Sequence, residues 1–195
     1  HDGLGNTPTE EASAADLAGY GSREWLSGLL DAERIATPEY FGGTDHARGG
    51  MVRFVQRGLA QLSEEEMQDL EKVVMAVSAE AELPAQASMD ATDQADIALG
   101  RTLISSEAIN CTRCHAFGDL TEDTGPVLNG WGSREWMMGL VHDPTQEAYY
   151  GDDNDRMPAF GVEEILNREE MGLLVDWLRG DWYRAEAVDE SPAGN

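Results

Sequence analysis

Apolar residues recur at helical spacing in three stretches of this chain. Ile97, Leu99, Leu103 and Ile104 do so between Asp96 and Ser106. Met67, Leu70, Val73, Val74 and Val77 form a second stripe, and Met171, Leu174, Trp177 and Leu178 a third. An apolar residue every three or four positions marks one buried helix face. The last two stretches also carry a start signal: Ser63 with Glu66, and Asn167 with Glu170. Each places a capping side chain three positions ahead of a carboxylate that can reach back to it. Ser133 opens a shorter helix. Strand-like alternation is scarce, so the expected fold class is all-α. No run approaches the roughly 18 consecutive apolar residues of a membrane helix.

The pattern repeats. Gly21-Ser22-Arg23-Glu24-Trp25-Leu26-Ser27-Gly28-Leu29 matches Gly132-Ser133-Arg134-Glu135-Trp136-Met137-Met138-Gly139-Leu140 at seven of nine positions. Tyr40-Phe41-Gly42 matches Tyr149-Tyr150-Gly151, Met51-Val52-Arg53-Phe54 matches Met157-Pro158-Ala159-Phe160, and the two capping boxes correspond. Internal repetition of this kind predicts two similar structural units. Between them lies an acidic, proline-bearing stretch from Glu80 to Asp93. The expected division is a first unit at 1–82, a linker at 83–94 and a second unit at 95–195.

Composition narrows the partners. The chain has 195 residues, 38 Asp+Glu against 13 Lys+Arg, and a formal charge of −25. Phosphate backbones would be repelled, which excludes nucleic acid as a partner. Lys72 is the only lysine, so there is no lysine patch for an acidic protein. A hydrophobic fraction of 41% is enough for a packed core.

The two cysteines lie in Cys111-Thr112-Arg113-Cys114-His115. C-x-x-C-H is the pattern of covalent c-type haem attachment. Two thiols add across the vinyl groups of one porphyrin edge, and the adjoining imidazole sits under the iron. A redox dithiol needs only C-x-x-C, usually in a β-α-β setting, for which this chain has little strand pattern. Structural zinc needs four ligands, and no second cysteine pair exists.

Downstream of these residues the second half resembles the class I c-type cytochromes. Gly125-Pro126-Val127-Leu128-Asn129-Gly130 is similar to that family's Gly-Pro-x-Leu-x-Gly loop. The resemblance implies that the Pro126 carbonyl accepts the N–H of His115, the proximal ligand. Met157-Pro158-Ala159-Phe160 is similar to the family's distal segment, which makes Met157 the sixth ligand, with His142 as its rival. Gly100 and Trp177 look like the small and aromatic residues through which the family crosses its first and last helices. Arg134 and Trp136 are candidates for bonding haem propionates, beside the alternatives of a solvated arginine and a core tryptophan. Tyr150 completes the expected cofactor-contacting set with Cys111, Cys114 and Pro126.

The first unit looks like another class I cytochrome that lacks its first helix and its cysteines. His1 lies 18 residues before Gly19, and His115 lies 15 before Gly130, so His1 falls about where a proximal histidine belongs. Truncation, decay of the copy and a coincidental histidine are the competing explanations. Truncation is favoured because the Met67/Val73/Val77 stripe would otherwise lack a cover. His1 and Met51 are then the axial pair of a second haem, with His46 as an alternative distal ligand.

The implied function is electron transfer through His/Met-ligated haem c. The form of the repeat resembles the cytochrome c segments of bacterial quinol–cytochrome c oxidoreductases. That resemblance implies a quinol-oxidising membrane complex as donor, a small cytochrome or oxidase as acceptor, and a periplasmic or other extracytoplasmic location, with membrane association only through a segment or subunit outside this sequence. The alternatives are the dihaem subunit of a terminal oxidase and, in a different class, a dihaem cytochrome c peroxidase.

Overall fold

Serine and asparagine caps open four of the helices. In a computed structural model, which describes residues 14–17, 19–120 and 124–181, the chain runs through α1 (Arg23–Leu29), α2 (Gly50–Arg57), α3 (Glu64–Ala79), α4 (Ala87–Thr92), α5 (Gln94–Leu103), α6 (Arg134–His142) and α7 (Arg168–Leu178). Ser22 and Ser133 accept from the Trp25 and Trp136 N–H groups at the starts of α1 and α6. Ser63/Glu66 and Asn167/Glu170 form complete capping boxes on α3 and α7. The first satisfies two backbone donors at the helix start and the second three. Among the described residues the only β feature is an isolated bridge between Phe117 and Leu120, so the architecture is all-α. None of the helices among them is long and apolar enough to cross a membrane.

The repeat holds down to individual hydrogen bonds. The Trp25 indole N–H donates to the Asp16 carbonyl at 2.8 Å, and that of Trp136 to the Val127 carbonyl at 3.0 Å, each nine residues back. Tyr40 meets Trp25 edge-on at 5.2 Å, and Tyr149 meets Trp136 edge-on at 5.1 Å. A Cβ built on Gly28 would fall 1.9 Å from the Tyr40 hydroxyl, and one on Gly139 1.8 Å from the Tyr149 hydroxyl. Side-chain atoms at either glycine would expel the tyrosine. The shared glycines therefore keep the two tyrosines seated.

The units meet through equivalent surfaces. Tyr20 and Trp131 occupy corresponding positions and pack at 4.8 Å. Around them, Trp25 lies 6.0 Å from Trp131 and Tyr20 lies 6.3 Å from Trp136. Such reciprocal contacts are what a two-fold arrangement produces. Residues of both units, from Tyr20 and Ile35 to Met171 and Val175, belong to one buried cluster. Burying four large aromatic rings there favours a joined pair over two separate bodies.

Three expectations meet a different arrangement. The stretch read as a linker at 83–94 is packed: Leu83 and Gln86 are buried, and α4 lies within it. Gln86 donates to Ser78 Oγ at 2.9 Å and accepts from the Arg23 N–H at 2.9 Å, while Arg23 pairs with Asp90 and Asp93 at 2.6 Å each. Its acidic residues serve as partners for a buried-side arginine of the first unit, which composition could not reveal.

The second difference concerns Gly100. A Cβ built there would lie 2.0 Å from the Lys72 carbonyl oxygen and 2.9 Å from Ala76 Cβ. The close helix crossing is therefore α5 over α3, with Gly100 against Lys72 and not against Trp177. The third follows from it. Val73, Val74 and Val77 are buried under α5, so the cover for that stripe comes from within the chain. Met67, expected in the same stripe, is 44% exposed. His1 lies outside the described residues.

Candidate functional site

The C-x-x-C-H segment follows α5 after one folded turn. The Asn110 backbone sits in the left-handed region at φ 42°, a conformation asparagine tolerates. That reversal lets the Cys111 N–H donate back to the Ile104 carbonyl at 2.9 Å. A 3-10 turn over Cys111–Arg113 then brings the His115 N–H to the Cys111 carbonyl at 3.1 Å. Both thiols are free. Cys114 is exposed, whereas burial pushes the Cys111 thiol up to about 12. A thiol so placed resists ionisation, which suppresses reactions that need a free thiolate.

His115 is oriented by the loop that follows. Its Nδ1 lies 2.7 Å from the Pro126 carbonyl oxygen. A carbonyl can only accept, so Nδ1 carries the proton and Nε2 the lone pair. Burial lowers the His115 pKa, with the Pro126 bond opposing that shift, so the ring is neutral at physiological pH. Gly125 lies flat against the imidazole: a Cβ there would be 2.7 Å from His115 Cε1 and 2.9 Å from Nδ1. The glycine–proline pair thus supplies both the space and the acceptor that fix the ring.

Met157 is half-buried at the edge of the core, in a segment without regular structure. Asn154 Nδ2 donates to its carbonyl at 2.9 Å. Pro158 follows, which disfavours helical backbone at Met157. Its repeat counterpart Met51 is also half-buried but stands in the first turn of α2. His142 closes α6, and its carbonyl accepts from the Gly161 and Val162 N–H groups. His46 lies in a 3-10 turn between the rings of Phe41 and Tyr150, at 6.0 and 5.9 Å. Tyr150 is thereby placed on a first-unit ring.

Two expected cofactor contacts are engaged elsewhere. Arg134 Nε and Nη2 donate to Asp176 at 2.6 and 3.2 Å, tying α6 to α7. The Trp136 indole N–H is taken by Val127, while the exposed Arg134 guanidinium keeps further N–H groups beyond its two bonds to Asp176. A residue that sequence reasoning passed over is Arg179. Its buried guanidinium donates to the Ala81 carbonyl at 2.7 Å and the Gly132 carbonyl at 2.5 Å, bridging the units. No spacing in the sequence points to it, because its partners are backbone atoms far along the chain. A cavity of about 680 Å³ is bordered by Met138, His142, Leu166 and Met171, with Glu135 and Glu164 at its margin. Cys111, His115 and Met157 do not line it.

The donor set fits a covalently held haem. Two free thiols stand three positions apart, and the adjoining imidazole is held in the tautomer that presents Nε2 to a metal. Among the described residues there is no group of three or more His, Cys, Asp or Glu side chains that could hold a bare metal ion. Compared with protein-family models, with curated proteins and with solved structures, the chain matches none.

Proposed function

We propose that this chain is an electron-transfer protein of the class I c-type cytochrome kind, built from two tandem units. The observation that carries this is the His115 Nδ1–Pro126 carbonyl bond at 2.7 Å, in a loop whose glycine leaves room for the ring. Cys111 and Cys114 would hold haem c through thioethers, and His115 and Met157 would supply its iron ligands. When bound, the haem supplies reversible one-electron exchange. The chain's own contribution is to orient the imidazole, keep it neutral and offer the Met157 thioether. Thioether ligation raises the reduction potential relative to a second imidazole.

The hydrogen-bonded correspondence of the two repeats supports a second, first-unit site with His1 and Met51 as its ligands, His46 being the alternative to Met51. In this reading the protein takes electrons from a quinol-oxidising membrane complex and passes them to a small cytochrome or oxidase, outside the cytoplasm. A pyridine-haemochrome assay on the natural protein tests it. Covalent haem that resists acid-acetone extraction, lost in Cys111→Ser and Cys114→Ser, is the expected result. Metal without porphyrin would overturn the reading. Peroxide turnover by the ferric protein would move it to the peroxidase class.

A further inference from the structure

The two segments that carry Met51 and Met157 correspond in the repeat, and their approaches touch each other. The Asp45 backbone N–H, in the first unit, donates to Asp155 Oδ2 at 3.1 Å. Arg156 Nη2 donates to the Gly43 carbonyl at 3.3 Å, while its guanidinium bonds Asp155 at 2.9 and 3.1 Å. Tyr150 stacks on His46 at 5.9 Å with 21° between the rings. Asp155 is the covered half of the ion pair, its side chain 11% exposed against 55% for Arg156. A carboxylate so enclosed and bonded on both oxygens holds its backbone firmly.

We infer that the Gly43–His46 turn of the first unit is a positioning element for Met157 of the second. The inference rests on Met157 being an iron ligand. Residues 154–159 form no helix or strand, so the sulfur's place depends on what clamps the segment. Within its own unit the segment is tied by the Asn154 bond to the Met157 carbonyl and by the Ala159 N–H on Glu163; the other unit adds the bonds from Asp45 to Asp155 and from Arg156 to Gly43. A pre-organised segment binds more tightly because less freedom is lost on coordination. Thioether is a weak enough ligand that such a loss decides whether it stays on the metal.

Asp45→Pro isolates the contact. Asp45 is the first residue of its 3-10 turn and Thr44 before it is extended at ψ 167°, both compatible with proline. The substitution deletes the N–H donor, whereas Asp45→Ala keeps it. The holoprotein is oxidised and titrated with imidazole, which competes with methionine, following the far-red absorption band of thioether-ligated ferric haem. Asp45→Pro should strengthen apparent imidazole binding about tenfold relative to Asp45→Ala, the size of one charge-assisted hydrogen bond, because both remove the side chain facing Asp155 and Arg156 and only proline removes the donor. Arg156→Ala, at an exposed side chain, should move it in the same direction without altering the backbone. The Asp45→Pro effect should vanish in an Asp155→Ala background. Wild-type affinity in both Asp45→Pro and Arg156→Ala would overturn the inference alone. A wild-type protein lacking the band would remove Met157 from the iron, and the inference with it.

Discussion

Tyr20 and Trp131 stand at corresponding positions of the two repeats and pack against one another, ring centroids 4.8 Å apart. Each also reaches the other unit's helix-start tryptophan, so one aromatic cluster fastens the halves. Trp131→Ala should cost about 3–5 kcal/mol, the range for removing a large buried aromatic. Combined with Trp25→Ala it should be non-additive, since the rings share partners. Denaturant midpoints of the two single variants and the double variant measure this. Additive losses would mean the cluster does not act as one contact.

Gly100 admits no side chain where α5 crosses α3, with the Lys72 carbonyl 2.0 Å from a built Cβ. Gly100→Val should force the helices apart and destabilise by about 3 kcal/mol, as overpacking does. Thermal unfolding would read the loss. A tolerated valine would mean that α5 crosses elsewhere.

Gly125→Ala should turn the His115 ring away from Pro126, because the new methyl occupies its place. Proton resonances of the His115 ring in the reduced holoprotein, and the midpoint potential, are the measurements. A weaker hydrogen bond makes the imidazole a poorer donor to the metal, so the potential should rise. An unchanged potential would show that the ring is held by other contacts.

Two half-exposed carboxylates have lowered pKa values: Glu66 through the Ser63 N–H and hydroxyl, and Asp143 through the Thr145 hydroxyl and N–H. A carboxyl whose folded pKa lies below its unfolded one adds stability above the unfolded value, about pH 4. That contribution fades as pH falls through the folded value. Ser63→Ala and Thr145→Val should therefore flatten the fall of melting temperature on the acid side and leave its slope at neutral pH unchanged.

In protein produced without haem attachment, a thiol reagent at neutral pH should label Cys114 rapidly and Cys111 slowly. Exposure favours the first, and burial with a pKa near 12 protects the second. Mass spectrometry of partially labelled protein decides the order.

What could be read from residue order is what acts within a turn or two of chain. Ser63/Glu66 and Asn167/Glu170 become capping boxes because both partners sit on one helical turn. The Pro126 bond to His115 was legible only as what the likeness of the Gly125–Gly130 loop to the class I cytochromes implies, since spacing alone does not dictate a partner eleven residues on. The repeat was legible as identities, and the paired indole bonds make it physical. Arg134 was not legible. A guanidinium takes any carboxylate within reach, and only the placement of α7 made that partner Asp176.

The sequence by itself determined the helical class, the capped helix starts and the doubled plan, all set by spacing along the chain. Tertiary structure alone decided that α5 covers α3, that the acidic stretch binds Arg23, that Arg179 bridges the units and that the Gly43–His46 turn holds the Met157 segment. The reason is physical: hydrophobic burial is non-directional, so an apolar stripe announces that it needs a cover without saying which element supplies it. Contacts between distant segments are chosen only when the whole chain closes.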